Sequence, residues 1–378
     1  MRIREVGWVV FLAGLPFAHF VRHDLDMWSA HTWWAQGWIL VLWGIACALG
    51  LRTGSNRPLA WWLGWVGLSA WQLWHTIMVT QKVFPSAILL GLIHVLFIVL
   101  FYQAVMTYWT TTTVQQVCRA MALVGMVILV YGLLQLGSLD QFYQNLDRSP
   151  KDVLVGTMGN PSHFGSYLAF VLPLLLLQRE WWWWPVRAVA LGLLLVANSV
   201  GAWVSAMTVL LWCGWFWYRT LWKWLLAVIL LGSLGLWVLH PGNVLNPYGR
   251  LEAWSAFWKI FATGKPITGM GIGFIRELAM QSKHGSPLFQ WHHVHLEWFQ
   301  IAIEQGIIGL GLVGWIVIDW MRTVWKLPKS REVVALSGVG IAFLLNSCVN
   351  FPMHLWLLGS FGLLAYCGIH VLAREATA

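Results

Sequence analysis

Charge is what this chain has least of. Of its 378 residues only 10% are Asp, Glu, Lys or Arg while 59% are hydrophobic, whereas soluble domains carry about a quarter charged residues. So few charges cannot cover a soluble domain of this size. Cysteine is also sparse: Cys47, Cys118, Cys213, Cys348 and Cys367 stand singly, so neither a disulfide framework nor a metal spacing follows. No H-E-x-x-H motif is present, which removes the commonest zinc-hydrolase signature. No repeated halves are discernible, as an alternating-access transporter would favour. A basic stripe is missing too: the net charge of +9 is spread over loop ends, so a nucleic-acid partner is rejected.

What the chain has in abundance is apolar runs of membrane-spanning length, roughly 17 to 25 residues. They fall near residues 6–21, 33–51, 59–80, 86–108, 117–137, 162–178, 187–199, 200–218, 224–240, 294–321, 332–350 and 354–372. The expected fold is therefore all-α, a polytopic membrane helix bundle of about twelve spans, the seventh and eighth together forming one broken hairpin. With alternating crossings, 14 of the 23 basic residues gather at one set of ends. Cytoplasmic loops are enriched in Lys and Arg, which places both termini in the cytoplasm. The 31 tryptophans, four of them consecutive at residues 181–184, fit an interfacial aromatic belt. The opening run lacks a small-residue cleavage site and reads as a retained first helix.

Polar chemistry collects on the predicted outer side. One place is the loop at 138–163, another the turn "ANSVGAW" at 197–203. The third is the segment 241–293, too long for an ordinary connector. Within it, Trp254, Phe257, Trp258 and Phe261 recur at helical spacing, predicting a helix along the membrane surface. "GMGIG" at 269–273 supplies a backbone that turns tightly and admits close approach. Arg250, Lys259, Lys265, Arg276 and Lys283 make this outer loop basic. That runs against the positive-inside tendency and fits recognition of phosphate.

The segment closes in "WHHVHLEWFQIAIEQGIIGLG", residues 291–311, which sets three histidines and two glutamates at the head of an apolar helix. Polar groups at such a position mark a site by default. A helix starting at 294 puts His295 and Phe299 on one face, and Glu297 and Glu304 on another. His295 at the membrane surface suits general-base work; its bland alternative is an interfacial histidine bonded to water or backbone. A zinc site at His293 and His295, completed by Glu297 or His284, is the sharper rival, but catalytic zinc needs three placed ligands and an open position. Neither a metal nor a cofactor is therefore assigned. His75, His94 and His370 read as isolated packing or polar-glue residues, and His354 in "NFPMH" stands apart from them in an outer turn.

Four pieces, in order, resemble the O-antigen ligase and polymerase superfamily: "GNPSHFGSYLAFVLPLLL", "GRLEAW", "GMGIGF" and "HVHLEWFQIAIEQGIIGL". The resemblance covers residues 155–320. It implies a glycosyltransferase of the bacterial inner membrane, working at the periplasmic face. Such an enzyme moves a glycan from an undecaprenyl pyrophosphate carrier to a lipid or glycan acceptor, as O-antigen ligases do in lipopolysaccharide biosynthesis. O-antigen polymerase and protein O-oligosaccharyltransferase are the alternatives within the superfamily, and a lipid-linked substrate transporter or flippase the alternative outside it.

By this resemblance His295 is the base that activates the acceptor hydroxyl and Arg250 engages the donor pyrophosphate, while Arg276 or Lys265 stands in for a phosphate contact that the family makes elsewhere. Asn160, at a helix start, is either an N-cap or a substrate contact, and His163, His293 and Glu297 are further candidate contacts. Glu304 and Gly306 match an architectural helix-breaking "E-x-G". The chain departs from the family pattern at Val200, where relatives carry arginine, and at Leu296, where they carry asparagine. The implied organisation is N-terminal spans at 1–137, a ligase-like membrane domain at 138–372 containing the periplasmic loop 241–293, and a cytoplasmic tail at 373–378. Membrane lipids are the remaining partners.

Overall fold

The structure, a computed structural model, describes residues 59–75, 85–137, 154–197, 199–217, 250–282 and 292–377, with short pieces elsewhere. Every regular element among the described residues is helical. In chain order the main helices are α1 (Leu59–His75), α2 (Pro85–Tyr108), α3 (Thr111–Leu136), α4 (Pro161–Leu177), α5 (Trp183–Val196) and α6 (Val200–Trp217). They are followed by α7 (Arg250–Thr263), α8 (Phe274–Gln281), α9 (Glu297–Lys326), α10 (Arg331–Ser347) and α11 (Trp356–Ala376). A 3-10 turn, Pro352–His354, joins the last two.

Five helices among the described residues (α2, α3, α6, α9 and α11) are long and apolar enough to cross a membrane, and α4 and α5 are shorter apolar helices. The protein is an all-helical membrane protein. The spans expected at 6–21, 33–51 and 224–240, and His284, lie wholly or largely outside the described residues. The seventh and eighth expected spans are two separate helices, α5 ending at Val196 and α6 starting at Val200.

The centre of the bundle is α10, packed against α4, α6 and α11, while α1 leans on α2 and α9. One continuous core runs from Trp8 and Tyr102 through Tyr167 and Phe170 to Phe361 and Ile369, so residues on both sides of position 137 share it. A smaller cluster of Ala253, Phe257, Ile275, Val294 and Ile303 fastens α7 and α8 to the head of α9.

The two ends of the bundle differ in chemistry. At one end, arginines and a lysine satisfy carbonyls left open where helices stop, a need every helix C-terminus has. Arg331 donates to Leu176 O and Leu177 O at the end of α4, and Arg187 reaches Leu175 O and Gln178 O. Arg374 reaches Met106 O and Trp109 O after α2, and Lys329 donates to Val324 O and Leu327 O after α9. At the opposite end α4, α6, α9 and α11 begin and α10 stops, and there His163, His293, His295, His354 and the buried Glu297 and Glu304 gather.

α9 is interrupted. Gly306 has φ 68° and ψ −171°, outside helical geometry, and divides it into two pieces. The backbone groups released by the break are taken up by the chain just before α8. Met270 N donates to Ile303 O and Gly271 N to Glu304 O, while Ile307 N and Ile308 N donate to Pro266 O and Ile267 O. Backbone groups at membrane depth must find partners within the protein, and this inserted loop supplies them. The approach is close enough to need glycine: a Cβ on Gly269 would lie 2.3 Å from Glu304 O, and one on Gly306 2.2 Å from Ile267 O. From α1, Gln72 donates to Thr268 O and Glu304 O, and Gln305 bonds to Trp65 and Ser69. "GMGIG" thus admits another stretch of backbone, as its glycines predict.

Candidate active site

α9 begins at Glu297, not at 294 as the sequence predicts, so His295 is not on the helix face of Phe299. Its backbone is left-handed, with φ 54°, and it is the one non-glycine residue with positive φ among the described residues. That conformation costs an L-residue about 1–2 kcal/mol and persists only where the surroundings impose it. Here the residue before it is fixed on both sides. Val294 N donates to Gln300 Oε1 at 3.1 Å, and Val294 O accepts from Trp254 Nε1 at 2.8 Å. A hydrophobic valine therefore anchors the turn through its backbone, while its side chain joins the small core cluster.

Phe351, after α10, is the floor of the site. His293 stacks on it with ring centroids 4.1 Å apart, and His295 and His163 meet it edge-on at 4.7 and 5.3 Å. Arg250, the first residue of α7, donates from Nη1 to Val349 O at 2.9 Å and lies close enough to His295 to repel a second positive charge. Burial, then Arg250, then His163 push His295 down to about 3. Burial holds His293 well below its ordinary value of 6.5, with His354 and His295 adding to the effect. Both imidazoles are therefore neutral.

Beneath them lies a polar stripe that α9 presents at positions 297, 300 and 304, one face of a helix. Glu297, Gln300 and Glu304 are 0%, 1% and 2% exposed. Glu297 Oε2 accepts from Met353 N at 3.0 Å, and Glu304 Oε1 accepts from Ile275 N at 3.2 Å. His354 sits between the two, Nδ1 2.7 Å from Glu297 Oε1 and Nε2 3.7 Å from Glu304 Oε2. Burial alone would lower its proton affinity, but the carboxylates of Glu297 and Glu304 outweigh that and push it up to about 10. Between these two carboxyl groups His354 keeps its proton to a higher pH than an ordinary histidine does. Gln300 joins the group: its amide nitrogen lies 3.1 Å from His354 Nε2, 3.3 Å from His293 Nδ1 and 3.3 Å from Glu304 Oε1.

His295, Arg250, His163, His293 and Glu297 therefore lie around Phe351 and the head of α9. Arg276, on α8, is exposed and close enough to His293 to disfavour its charging. Lys265 is elsewhere, its Nζ 3.2 Å from His75 Nδ1 beside α1. Asn160 caps α4, its side chain accepting from Ser162 N at 2.8 Å and His163 N at 3.4 Å. Glu297 faces protein on every side. Val200 is 43% exposed at the start of α6, and a Cβ on the adjacent Gly201 would strike Val349, the residue that Arg250 grips. Among the described residues no group of three His, Cys, Asp or Glu side chains converges as metal ligands would.

Sequence reasoning missed Gln300, Phe351 and the role of His354. Gln300 was detectable, since it completes the i, i+3, i+7 stripe with Glu297 and Glu304. The histidines read as packing or polar glue each have a polar partner: His75 meets Lys265, His94 is hydrogen-bonded to the Met353 backbone, and His370 Nε2 lies 3.2 Å from Asp319 Oδ2.

The fold and the site together define a helical membrane protein with a buried ionic group beneath neutral histidines at one end. Comparison of the chain with models of known protein families finds no match, and comparison with curated proteins finds no relative.

Proposed function

We propose that this protein is a glycosyltransferase of the bacterial inner membrane. It moves a glycan from an undecaprenyl pyrophosphate carrier to an acceptor hydroxyl at the periplasmic face, without a metal, as an O-antigen ligase does. The observation that carries the proposal is His295: a neutral imidazole in a left-handed turn, beside a guanidinium, at the end of the bundle opposite the helix-capping arginines. The positive-inside tendency assigns the arginine end to the cytoplasm and the histidine end to the periplasm. The full chain, on this reading, crosses the membrane about twelve times.

In the reaction His295 takes the proton of the attacking hydroxyl. The acceptor oxygen then bonds to the anomeric carbon as the bond from that carbon to the pyrophosphate oxygen breaks, and undecaprenyl pyrophosphate departs. Arg250 and Arg276 stabilise the charge that develops on the leaving group. Burial and the Arg250 guanidinium keep the proton affinity of His295 low. Pyrophosphate bound at Arg250 cancels the guanidinium charge and raises the basicity of His295 when the donor is in place.

A transporter is the second reading, favoured by the interruption of α9, because transporters place broken helices at their substrate sites. Against it, Ile303 O, Glu304 O, Ile307 N and Ile308 N at the break are bonded to the inserted loop and do not offer themselves to a substrate.

The test is transfer in vesicles from undecaprenyl pyrophosphate-linked glycans to a panel of lipid, glycan and peptide acceptors, with chelator present throughout. Product formed by the wild type and lost in His295→Ala supports the reading and identifies the acceptor. Equal transfer by both proteins assigns the proton to another group, and glycolipid crossing the bilayer without transfer favours the transporter.

A further inference from the structure

We propose that His354 is a positioning residue: clamped between Glu297 and Glu304, it fixes Glu304, which holds Gln300, and through Gln300 it holds the turn that sets His295. The inference rests on the glycosyl-transfer reading only for the name of the reaction. The clamp itself is a statement about geometry.

A left-handed histidine needs an external constraint, and a chain of contacts leads from it to His354. Both backbone groups of Val294 are held, one by Trp254 and one by the Gln300 carbonyl oxygen. Once that oxygen accepts from Val294 N, the amide nitrogen of Gln300 is left to donate to His293 Nδ1 and Glu304 Oε1, and the other oxygen of Glu304 faces the protonated Nε2 of His354. His354 in turn is tied to the helix by Glu297, which also accepts from Met353 N on the 3-10 turn. The turn at residues 352–354 and the head of α9 are thereby locked together across the floor residue Phe351. The groups facing His354 are Glu297, Gln300 and Glu304 from α9, His293 from the preceding segment and His94 from α2. His354 supplies the positive charge between the two carboxylates, and they hold its proton to a higher pH than an ordinary histidine.

Removing His354 alone strands two buried carboxylates and risks the whole fold. The test therefore uses E297Q/H354Q, which removes one cation and one anion together, and E304Q as a milder second variant. In detergent-purified protein, the rate at which diethyl pyrocarbonate modifies His295 is followed by mass spectrometry, with His75 and His370 as internal references. The clamp predicts a rise of about tenfold at His295 in E297Q/H354Q, a smaller rise in E304Q, and no change at the references. An unchanged His295 rate overturns the proposal. A parallel rise at all three histidines also overturns it, because it assigns His354 a fold-wide role.

Where the wild type transfers glycan, kcat falls about a hundredfold in E297Q/H354Q while the donor KM stays within twofold. In E304Q the alkaline limb of the kcat profile moves to lower pH, since His354 has lost one of its two anions. Loss through KM, with the alkaline limb unmoved, overturns the proposal. A wild type that transfers nothing, together with a selective rise at His295, rejects the glycosyltransferase and keeps the clamp.

Discussion

His354, half-buried, and the fully buried Glu297 form an ion pair, Nδ1 to Oε1, at 2.7 Å. The two residues come from different ends of the chain's last third, one on a 3-10 turn between α10 and α11 and the other on the first turn of α9. Their pairing joins the floor of the site to the helix that carries its polar stripe.

This pair gives stability a pH dependence. The folded-state proton affinity of His354 is raised from 6.5 to about 10, so its contribution is fully present below 6.5 and is lost as pH rises through about 10. The wild type in detergent is expected to lose thermal stability between these values, by a few kcal/mol in total. E297Q/H354Q is expected to show a much flatter profile across the same window.

On the proposed reading Arg250 contacts the donor pyrophosphate beside the base. Arg250→Ala is expected to raise the donor KM at least tenfold and to lower kcat, whereas His295→Ala lowers kcat by 10²- to 10⁴-fold, the usual worth of a general base. Steady-state kinetics at several donor concentrations separate the two. A fall in kcat alone for Arg250→Ala would count against its contact with pyrophosphate.

The helix break is intolerant of a methyl group. Gly306→Ala and Gly269→Ala would bring a Cβ within 2.2 and 2.3 Å of backbone oxygens at positive φ. Each is expected to cost more than about 2 kcal/mol. Gly311 and Gly314 have nothing within 4 Å of a built Cβ, so alanine there is expected to be neutral or slightly stabilising in the same helix. Thermal unfolding of the four variants in one detergent checks the contrast.

Orientation is open to chemical labelling. Leu139, 70% exposed, follows α3 at the histidine end, and Trp181, 80% exposed, precedes α5 at the arginine end. In a cysteine-free background, Leu139→Cys is expected to react with an impermeant maleimide added to intact spheroplasts. Trp181→Cys is expected to react only after permeabilisation, and the reverse pattern would put the site on the cytoplasmic face.

Much of this was legible in one dimension. Apolar runs located α2, α3, α4, α6, α9, α10 and α11 to within a few residues at most ends, because a segment that must bury every backbone group in lipid has to be a helix. The 297/304 spacing predicted a shared face for the two glutamates, and the glycine run at 269–273 predicted a close approach. What lay beyond the sequence depends on contacts distant in the chain. Helical periodicity carries His295 into α9, yet the bonds of Val294 to Trp254 and Gln300 stop the helix at Glu297 and turn His295 left-handed. Nothing local in "NFPMH" announces that His354 will stand between two buried carboxylates; that follows only when α10 and α11 bring their connecting turn to the head of α9. The sequence by itself determined a helical membrane protein with its polar chemistry gathered near the head of α9. The tertiary structure decided which histidines are neutral, which one is charged, and what holds them, because proton affinity depends on burial and on neighbouring charges that only folding assembles.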